Sequence, residues 1–361
     1  MSGPLTGVRV VEIAGIGPGP FAAMMLADHG AEVVRIDRPG HPTDPQDALL
    51  RSRRTLTLDL KSPADVAALR QIARDADALI EGFRPGTLER LGIGPDVLLQ
   101  DNPKLVIGRM TGWGQDGPYS RFAGHDINYI SLSGVLNAVG PAERPVAPLA
   151  LTGDFGGGGM LLAFSIAAAL LHARQTGEGQ VIDCAMAEGS ALLMTPFYGS
   201  YARGAWRDAR ASNLIDGGAP FYDAYETADG RFISIGSLEP QFYALLLDRL
   251  ELTDDPVFAD QMDEAQWPAM RAKLQALFHT RTRDQWCALM EHSDICFAPV
   301  LGLGEAPQHA HMRARGAFVD VEGVVQPGPA PRYSATPTTT PHAPQPVSLA
   351  ELGVSQLELE K

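Results

Sequence analysis

Cysteine is scarce. Only Cys184, Cys287 and Cys296 occur in 361 residues, too few and too scattered for a disulfide framework or a zinc site. Basic residues are in deficit as well: 29 Lys and Arg stand against 43 Asp and Glu, a formal net charge of -14. That sign argues against nucleic acid as a partner, because phosphate binding needs basic patches. It leaves an anionic small ligand open, since a few local arginines can outweigh the average. Long hydrophobic runs are missing too. The longest, "MLLAFSIAAALL" from Met160, is shorter than the roughly 20 residues a bilayer span needs; it reads as a buried helix, and no membrane is expected as a partner. The stretch "MSGPLTGVRVVEIAG" has no basic segment followed by an apolar one, so no secretory signal is expected. The closing Leu-Glu-Lys is not a peroxisomal address, and a reducing cytoplasm is the expected compartment. No internal repeat is evident.

What is present reads as a soluble globular chain, 45% hydrophobic and 20% charged. Its length predicts two domains, or one large domain with an insertion. Over the first 110 or so residues strands alternate with helices. "VRVVEI", "AEVVRID", "TLTLDL", "ALIEGF" and "KLVIGRM" are the strands, with helices over 21–29 and 63–74 and a short one over 87–91. This alternation predicts a Rossmann-like, mostly parallel sheet with helices on both faces and a ligand at the C-terminal strand ends. After residue 180 a strand leads into a long helix, and a hairpin turns at Asp229-Gly230. Helical patterns then cover 240–250 and 267–277. The expected division is a large α/β domain over 1–190 completed by 321–361 and a linker helix over 191–219. A small α+β domain follows over 220–312, and a return linker and tail over 313–361. The proline- and threonine-rich stretch 327–346 predicts an extended tail wrapped over another surface.

The first turn imitates a dinucleotide fingerprint: Gly15-x-Gly17 after a strand, then Asp37 about twenty residues on. Its third position is Pro20, and Pro18 and Pro20 remove two backbone N–H donors that would hold a pyrophosphate. Nicotinamide binding is set aside on this ground. Farther on, "GHDINY" and "GDFGGGG" place His125 and Asp154 at what read as two helix starts. Taken singly, Asp154 suits a helix N-cap and His125 a satisfied histidine. Glu239, just before Pro240, suits the first turn of a helix. Met24 and Met25 read as core or as the lining of an apolar pocket. His309 and His311 have no carboxylate or cysteine at ligand spacing, so no metal is expected.

Several stretches taken together resemble one family. These are "VVEIAGIGPGPFAAMMLADHGAEVVRIDRPG", "LTLDLK", "LIEGFRPGTLERLG", "MTGWGQDGPYS", "GHDINY", "GDFGGGG" and "GGAPFYDAYETADGRFISIGSLEPQFY". They are similar to the family III CoA-transferase superfamily, and "GHDINYI" with "LEPQFY" is similar to its α-methylacyl-CoA racemase branch. The resemblance implies an interlocked homodimer with an active site shared between chains. It implies a 2-methylacyl-CoA substrate inverted at C2, with no cofactor beyond the CoA carried by the substrate. It also implies that His125 and Asp154 are the catalytic pair, and that Glu239 tunes the histidine, from the partner chain if the dimer is interlocked. The chemistry is consistent with this: inversion beside a thioester carbonyl takes a base on each face of C2 and donors for the enolate oxygen.

By the same resemblance the CoA half is gripped by Arg38, Leu58, Asp59, Leu60, Lys61, Gly82, Phe83, Arg84 and Arg90. Gly124, Asp126, Ile127, Asn128 and Tyr129 line the pantetheine and thioester, and the glycine run 156–159 permits close backbone approach. Two alternatives remain. One is a CoA-transferase of the same superfamily with Asp126 as carboxylate nucleophile; the other is a non-catalytic acyl-CoA-binding protein on the same fold.

Overall fold

The computed structural model describes residues 3–354, so the terminal Leu-Glu-Lys lies outside the described residues. The chain forms two compact units. One takes in the described residues up to Val135, Pro148–Thr195 and the stretch from His311; the other comprises Leu136–Ala147 and Pro196–Ala310.

Strand and helix alternate from the start: β1 (Arg9–Ile13), α1 (Pro18–Asp28), β2 (Glu32–Asp37), β3 (Arg53–Thr57), α2 (Pro63–Arg74), β4 (Ala78–Glu81) and α3 (Thr87–Arg90). Then come α4 (Pro95–Asp101), β5 (Val106–Thr111), α5 (Asp126–Leu132) and α6 (Val135–Ala138). A π-helical stretch, Leu151–Met160, runs without a break into α7 (Leu161–Thr176). Next are β6 (Gln180–Ala185), α8 (Met186–Leu193) and α9 (Thr195–Ala202). The second unit holds an antiparallel sheet of β7 (Tyr222–Glu226), β8 (Phe232–Gly236) and a later strand. Around it lie α10 (Pro240–Arg249), α11 (Trp267–Phe278) and α12 (Arg283–Met290), and β9 (Phe297–Val300) is that third strand. The chain closes with α13 (Ala310–Ala314), the hairpin β10 (Phe318–Val321) and β11 (Val324–Pro327), and β12 (Gln345–Pro346).

The large sheet runs β12-β3-β2-β1-β4-β5-β6, with every pairing parallel. Without the short β12 this is the doubly wound order 3-2-1-4-5-6, whose direction of growth reverses between β1 and β4. A crevice at the C-terminal strand ends is the geometric consequence. The sheet is covered on both faces. Val10, Ala22, Leu26, Leu162 and Ile166 make one core layer, and Val11, Ile36, Leu69, Leu79 and Ile107 the other.

The hairpin turns at Asp229-Gly230 as expected, with Gly230 at φ 70°. The tail wraps its own unit: the Thr339 N–H donates to the Asp28 carbonyl at 3.0 Å, and β12 adds to β3. Other expectations need correction. Helix α1 begins at Pro18, three residues before the apolar pattern starts, because proline fits a first helical turn and Gly17 takes φ 67° before it. β3 pairs from Arg53 to Thr57, so Leu58–Lys61 form the loop after the strand. Helix α4, opened by Pro95, was not anticipated. The single long helix after β6 is two short ones that part at Met194.

The apolar run from Met160 also departs from expectation. The glycines before it continue the helix, so Leu151–Thr176 is 26 residues long, enough in length and composition to cross a membrane, and 44% of its apolar window is buried. One side of it, with Met160, Phe164 and Leu171, is exposed.

The π-helical stretch packs on α8 backbone to backbone. A Cβ at Gly189 would collide with the Gly157 carbonyl, so Gly189→Ala should cost about 1–3 kcal/mol through overpacking. Chemical denaturation reads this as a lowered midpoint at unchanged m-value. A wild-type midpoint would contradict the close packing.

Candidate active site

Four loops leave the C-terminal ends of β1 to β4, and eight of the nine residues expected to grip the CoA half fall on three of them. Arg38 follows β2, Leu58–Lys61 follow β3, and Gly82–Arg84 follow β4. Arg38, Lys61 and Arg84 are exposed, and none forms a salt bridge among the described residues. The Arg90 guanidinium, on α3, donates to Thr87 Oγ1 at 2.8 Å and forms no salt bridge among the described residues. These four cations are uncommitted. Their neighbours are not equivalent to them, however. Leu58 is buried in the core, Phe83 packs against it, and the Asp59 carboxylate accepts the Lys61 N–H at 3.1 Å.

The β4 loop is held from beneath. Glu81 Oε2 accepts the Phe83 N–H at 2.7 Å, while Oε1 takes Arg109 Nε at 2.8 Å. Arg109 Nη1 reaches Glu89 Oε1 of α3 at 2.8 Å. Burial raises the Glu81 carboxyl above its ordinary range, against the opposing pull of Arg109.

The fourth loop, after β1, meets the π-helical stretch. Gly17 takes φ 67°, and a Cβ there would stand 3.2 Å from Asp154 Oδ2. The Asp154 backbone is fixed by α5: its N–H donates to Asp126 Oδ1 at 2.9 Å. Position 153 must be glycine for this, since a Cβ there would collide with that same Asp126 oxygen. Asp154 is half-buried, and its carboxyl is raised by that burial first and by the Asp126 charge second, with His125 pulling the other way. Asp154 and His125 are therefore close enough to feel each other's charge.

His125 itself is exposed and forms the N-cap of α5. Its N–H donates to Asn128 Oδ1 at 3.0 Å, and its carbonyl accepts the Asn128 N–H at 2.8 Å. The N–H groups of Asp126 and Ile127 find no acceptor among the described residues. Tyr129 is buried against Trp113, with ring centroids 4.7 Å apart at 85°, and its hydroxyl donates to the Gly124 carbonyl. Burial, then the Asp154 charge, raises this phenol, and Arg84 opposes them. Residues from the loops after β1 and β4 thus converge on α5 at the switch point of the sheet.

The two expected helix starts differ. His125 opens α5, but Asp154 is no N-cap: the helical chain begins at Leu151, after Ala150 in a left-handed conformation, and Asp154 sits inside its first wide turn. A π-helical turn widens the backbone and is a recurrent feature of functional sites. Glycines 157, 158 and 159 give close approach to neighbouring helices, touching α8 and α1. Asp126 and Tyr129 are buried supports, whereas Ile127 and Asn128 are exposed. Met25 packs against the core. Glu239 lies in the second unit, exposed, at the N-cap of α10. Sequence reasoning missed Gly17 and Gly153 as site-shaping positions, and it missed the buried charges Glu81 and Arg109. Charged residues within strands otherwise buried on both faces, Glu81 at the end of β4 and Arg109 inside β5, were the available signal for that pair.

Comparison with known proteins identifies the family. The family model described as "CoA-transferase family III" matches residues 5–348. The chain is 47% identical over 355 residues to the α-methylacyl-CoA racemase of Mus musculus, covering 98% of this chain and 92% of that one. It is 46% identical over 335 residues to the α-methylacyl-CoA racemase of Homo sapiens, covering 92% and 87%. A crystal structure of a CAIB/BAIF family protein from Brucella suis superposes with a TM-score of 0.83 over 99% of this chain and all of that one. At 24% identity that likeness speaks to the fold alone.

The raised Asp154 carboxyl has a consequence for stability. A group whose folded pKa exceeds its unfolded one favours folding below the unfolded pKa, and that contribution is lost as pH rises through the folded pKa. Asp154→Asn should therefore melt at a higher temperature than wild type near pH 7. The difference should shrink as pH falls through the raised folded pKa and be gone below about 4, where free carboxyls protonate. Melting curves across this range check it, and a variant less stable than wild type at neutral pH would contradict the burial of the charge.

Proposed function

Because the chain belongs to CoA-transferase family III, we propose that it is an α-methylacyl-CoA racemase. It inverts C2 of 2-methylacyl-CoA thioesters by taking a proton from one face and returning one to the other, through an enolate. The observation that carries this reading is the hydrogen bond from the Asp154 N–H to Asp126, which fixes Asp154 against α5, the helix that His125 caps. A carboxyl raised by burial is a better match to proton transfer near neutral pH than an exposed one. The unpaired N–H groups of Asp126 and Ile127 are suited to receive the enolate oxygen. Arg38, Lys61, Arg84 and Arg90 would hold the nucleotide end of CoA, whose phosphates match their charge. The chemistry takes no organic cofactor.

The transferase reading would make Asp126 a nucleophile. Its burial and its bond to the Asp154 N–H favour the racemase instead, because they commit this carboxylate to support. A homodimer belongs to the same proposal. The exposed stripe of Met160, Phe164 and Leu171 fits a second copy of the chain, and Glu239 would then act on the histidine from that copy. The net charge of -14 keeps nucleic acid outside the reading. So does a helix apolar along one exposed stripe for a membrane: Arg174 and Gln175 share its exposed surface. The three free cysteines fit a cytoplasmic setting.

His125→Ala and Asp154→Ala should each slow racemisation by about 10²–10⁴-fold with KM little changed, read from the optical rotation of a resolved substrate. Hydroxylamine added during turnover should trap no hydroxamate on Asp126. Near-wild-type turnover in either variant would remove that residue from the pair. A trapped hydroxamate would install the transferase reading.

A further inference from the structure

Beneath the β1 turn lies a buried ion network that the reaction does not use directly. Glu12 of β1, Arg35 and Asp37 of β2 and Arg53 of β3 are all buried, on strands that would ordinarily be apolar on both faces. Glu12 Oε2 takes Arg53 Nε at 2.9 Å, and its other oxygen takes the Arg35 guanidinium. Arg35 Nε then donates to Asp37 Oδ1 at 2.9 Å. Drawing four charges out of water carries a large desolvation cost, and well-packed apolar side chains commonly serve stability as well or better. The use of the network has to be sought at its ends.

Its ends are backbone hooks on the site. Arg53 Nη2 donates to the Pro20 carbonyl in the first turn of α1 at 2.6 Å. Arg35 Nη2 makes a long contact to the Gly15 carbonyl at 3.5 Å. Asp37 Oδ2 accepts Thr43 N–H at 3.0 Å and Thr43 Oγ1 at 2.6 Å, closing the loop that begins with Arg38. Gly15 and Pro20 flank Gly17, the residue on which the Asp154 carboxylate rests.

We propose that Arg35 and Arg53, joined through Glu12, are positioning residues: they hold the Gly15–Pro20 turn against the Asp154 carboxylate and so set its exposure to water. The inference rests on the reading of Asp154 as a catalytic base. Asp126, His125 and Tyr129 are the other titratable groups that face Asp154, and the network leaves them in place. Burial is the largest influence raising the Asp154 carboxyl, so a loosened turn would admit water and let it fall toward the ordinary carboxylate range.

Lysine variants separate position from charge. Arg53→Lys and Arg35→Lys keep a cation beside Glu12 but lose the planar fork that reaches the second acceptor. In the full-length enzyme kcat should fall about tenfold, ~1.4 kcal/mol of barrier, with KM changed by less than about threefold. The acidic limb of the kcat profile should move to lower pH, which a loss of folded protein alone would not do. Asp154→Asn is run beside them. If it retains turnover, the reading of Asp154 as base fails. If it is inactive while both lysine variants keep wild-type kcat and an unmoved limb, the positioning inference is overturned and the catalytic reading stands. Should the lysine variants not fold, Glu12→Gln loosens the joint between Arg35 and Arg53 while leaving the turn and Asp154 unaltered. A displaced limb supports the inference, and an unmoved limb with wild-type kcat overturns it.

Discussion

Asp126 catches the backbone N–H of Asp154 at 2.9 Å, and it can do so only because residue 153 has no side chain. Much else follows from that one hydrogen bond. It ties the wide turn at Leu151–Met160 to α5, so His125 at the head of α5 and Asp154 in the turn are placed by a single joint. The glycines that follow lie against α8 and α1, and α1 brings the β1 turn onto the Asp154 carboxylate. Each of these contacts is backbone-close, which leaves the carboxylate partly withdrawn from water beside a second negative charge. The raised proton affinity is a consequence of that packing.

The doubly wound sheet accounts for where this happens. Reversal of strand order between β1 and β4 opens the C-terminal edge, and the loops that leave β2, β3 and β4 carry Arg38, Lys61 and Arg84, none of them in a salt bridge among the described residues. Under the proposed function this edge would receive the anionic end of the acyl-CoA, with the reactive end near α5. The buried ion networks on the two faces of the sheet hook the β1 and β4 loops from beneath. Rigid support under these loops suits the proposed two-base reaction, because proton transfer is sensitive to small displacements.

Much of this was legible in the sequence. β-branched runs alternating with helical patterns gave the parallel sheet, and Asp229-Gly230 gave the hairpin, because both signals are local. Proline at the start of α1 and α4 is also a local signal, but Pro18 and Pro20 were weighed only as missing N–H donors and Pro95 not at all, where Pro18 and Pro95 open their helices. Asp154 was misread for a deeper reason. An aspartate before an apolar run has the pattern of an N-cap, and nothing in the sequence tells a cap from a residue inside a π-helical turn. The partners of Gly17 and Gly153 come from elements far along the chain, so their roles emerge only in three dimensions. The exposed side of α7 was equally hidden, since an apolar run looks the same whether its second face meets its own core or another surface.

The central claim is that two groups exchange the C2 proton of an acyl-CoA from opposite faces without covalent attachment. Each enantiomer of a 2-methylacyl-CoA, incubated with the wild-type protein in deuterated water together with a free carboxylic acid, tests it directly by proton NMR and chiral separation. The account predicts deuterium at C2 with loss of optical purity from either enantiomer, and no movement of CoA to the added acid. Retention of optical purity with an unlabelled C2, and CoA transferred to the free acid, would contradict it.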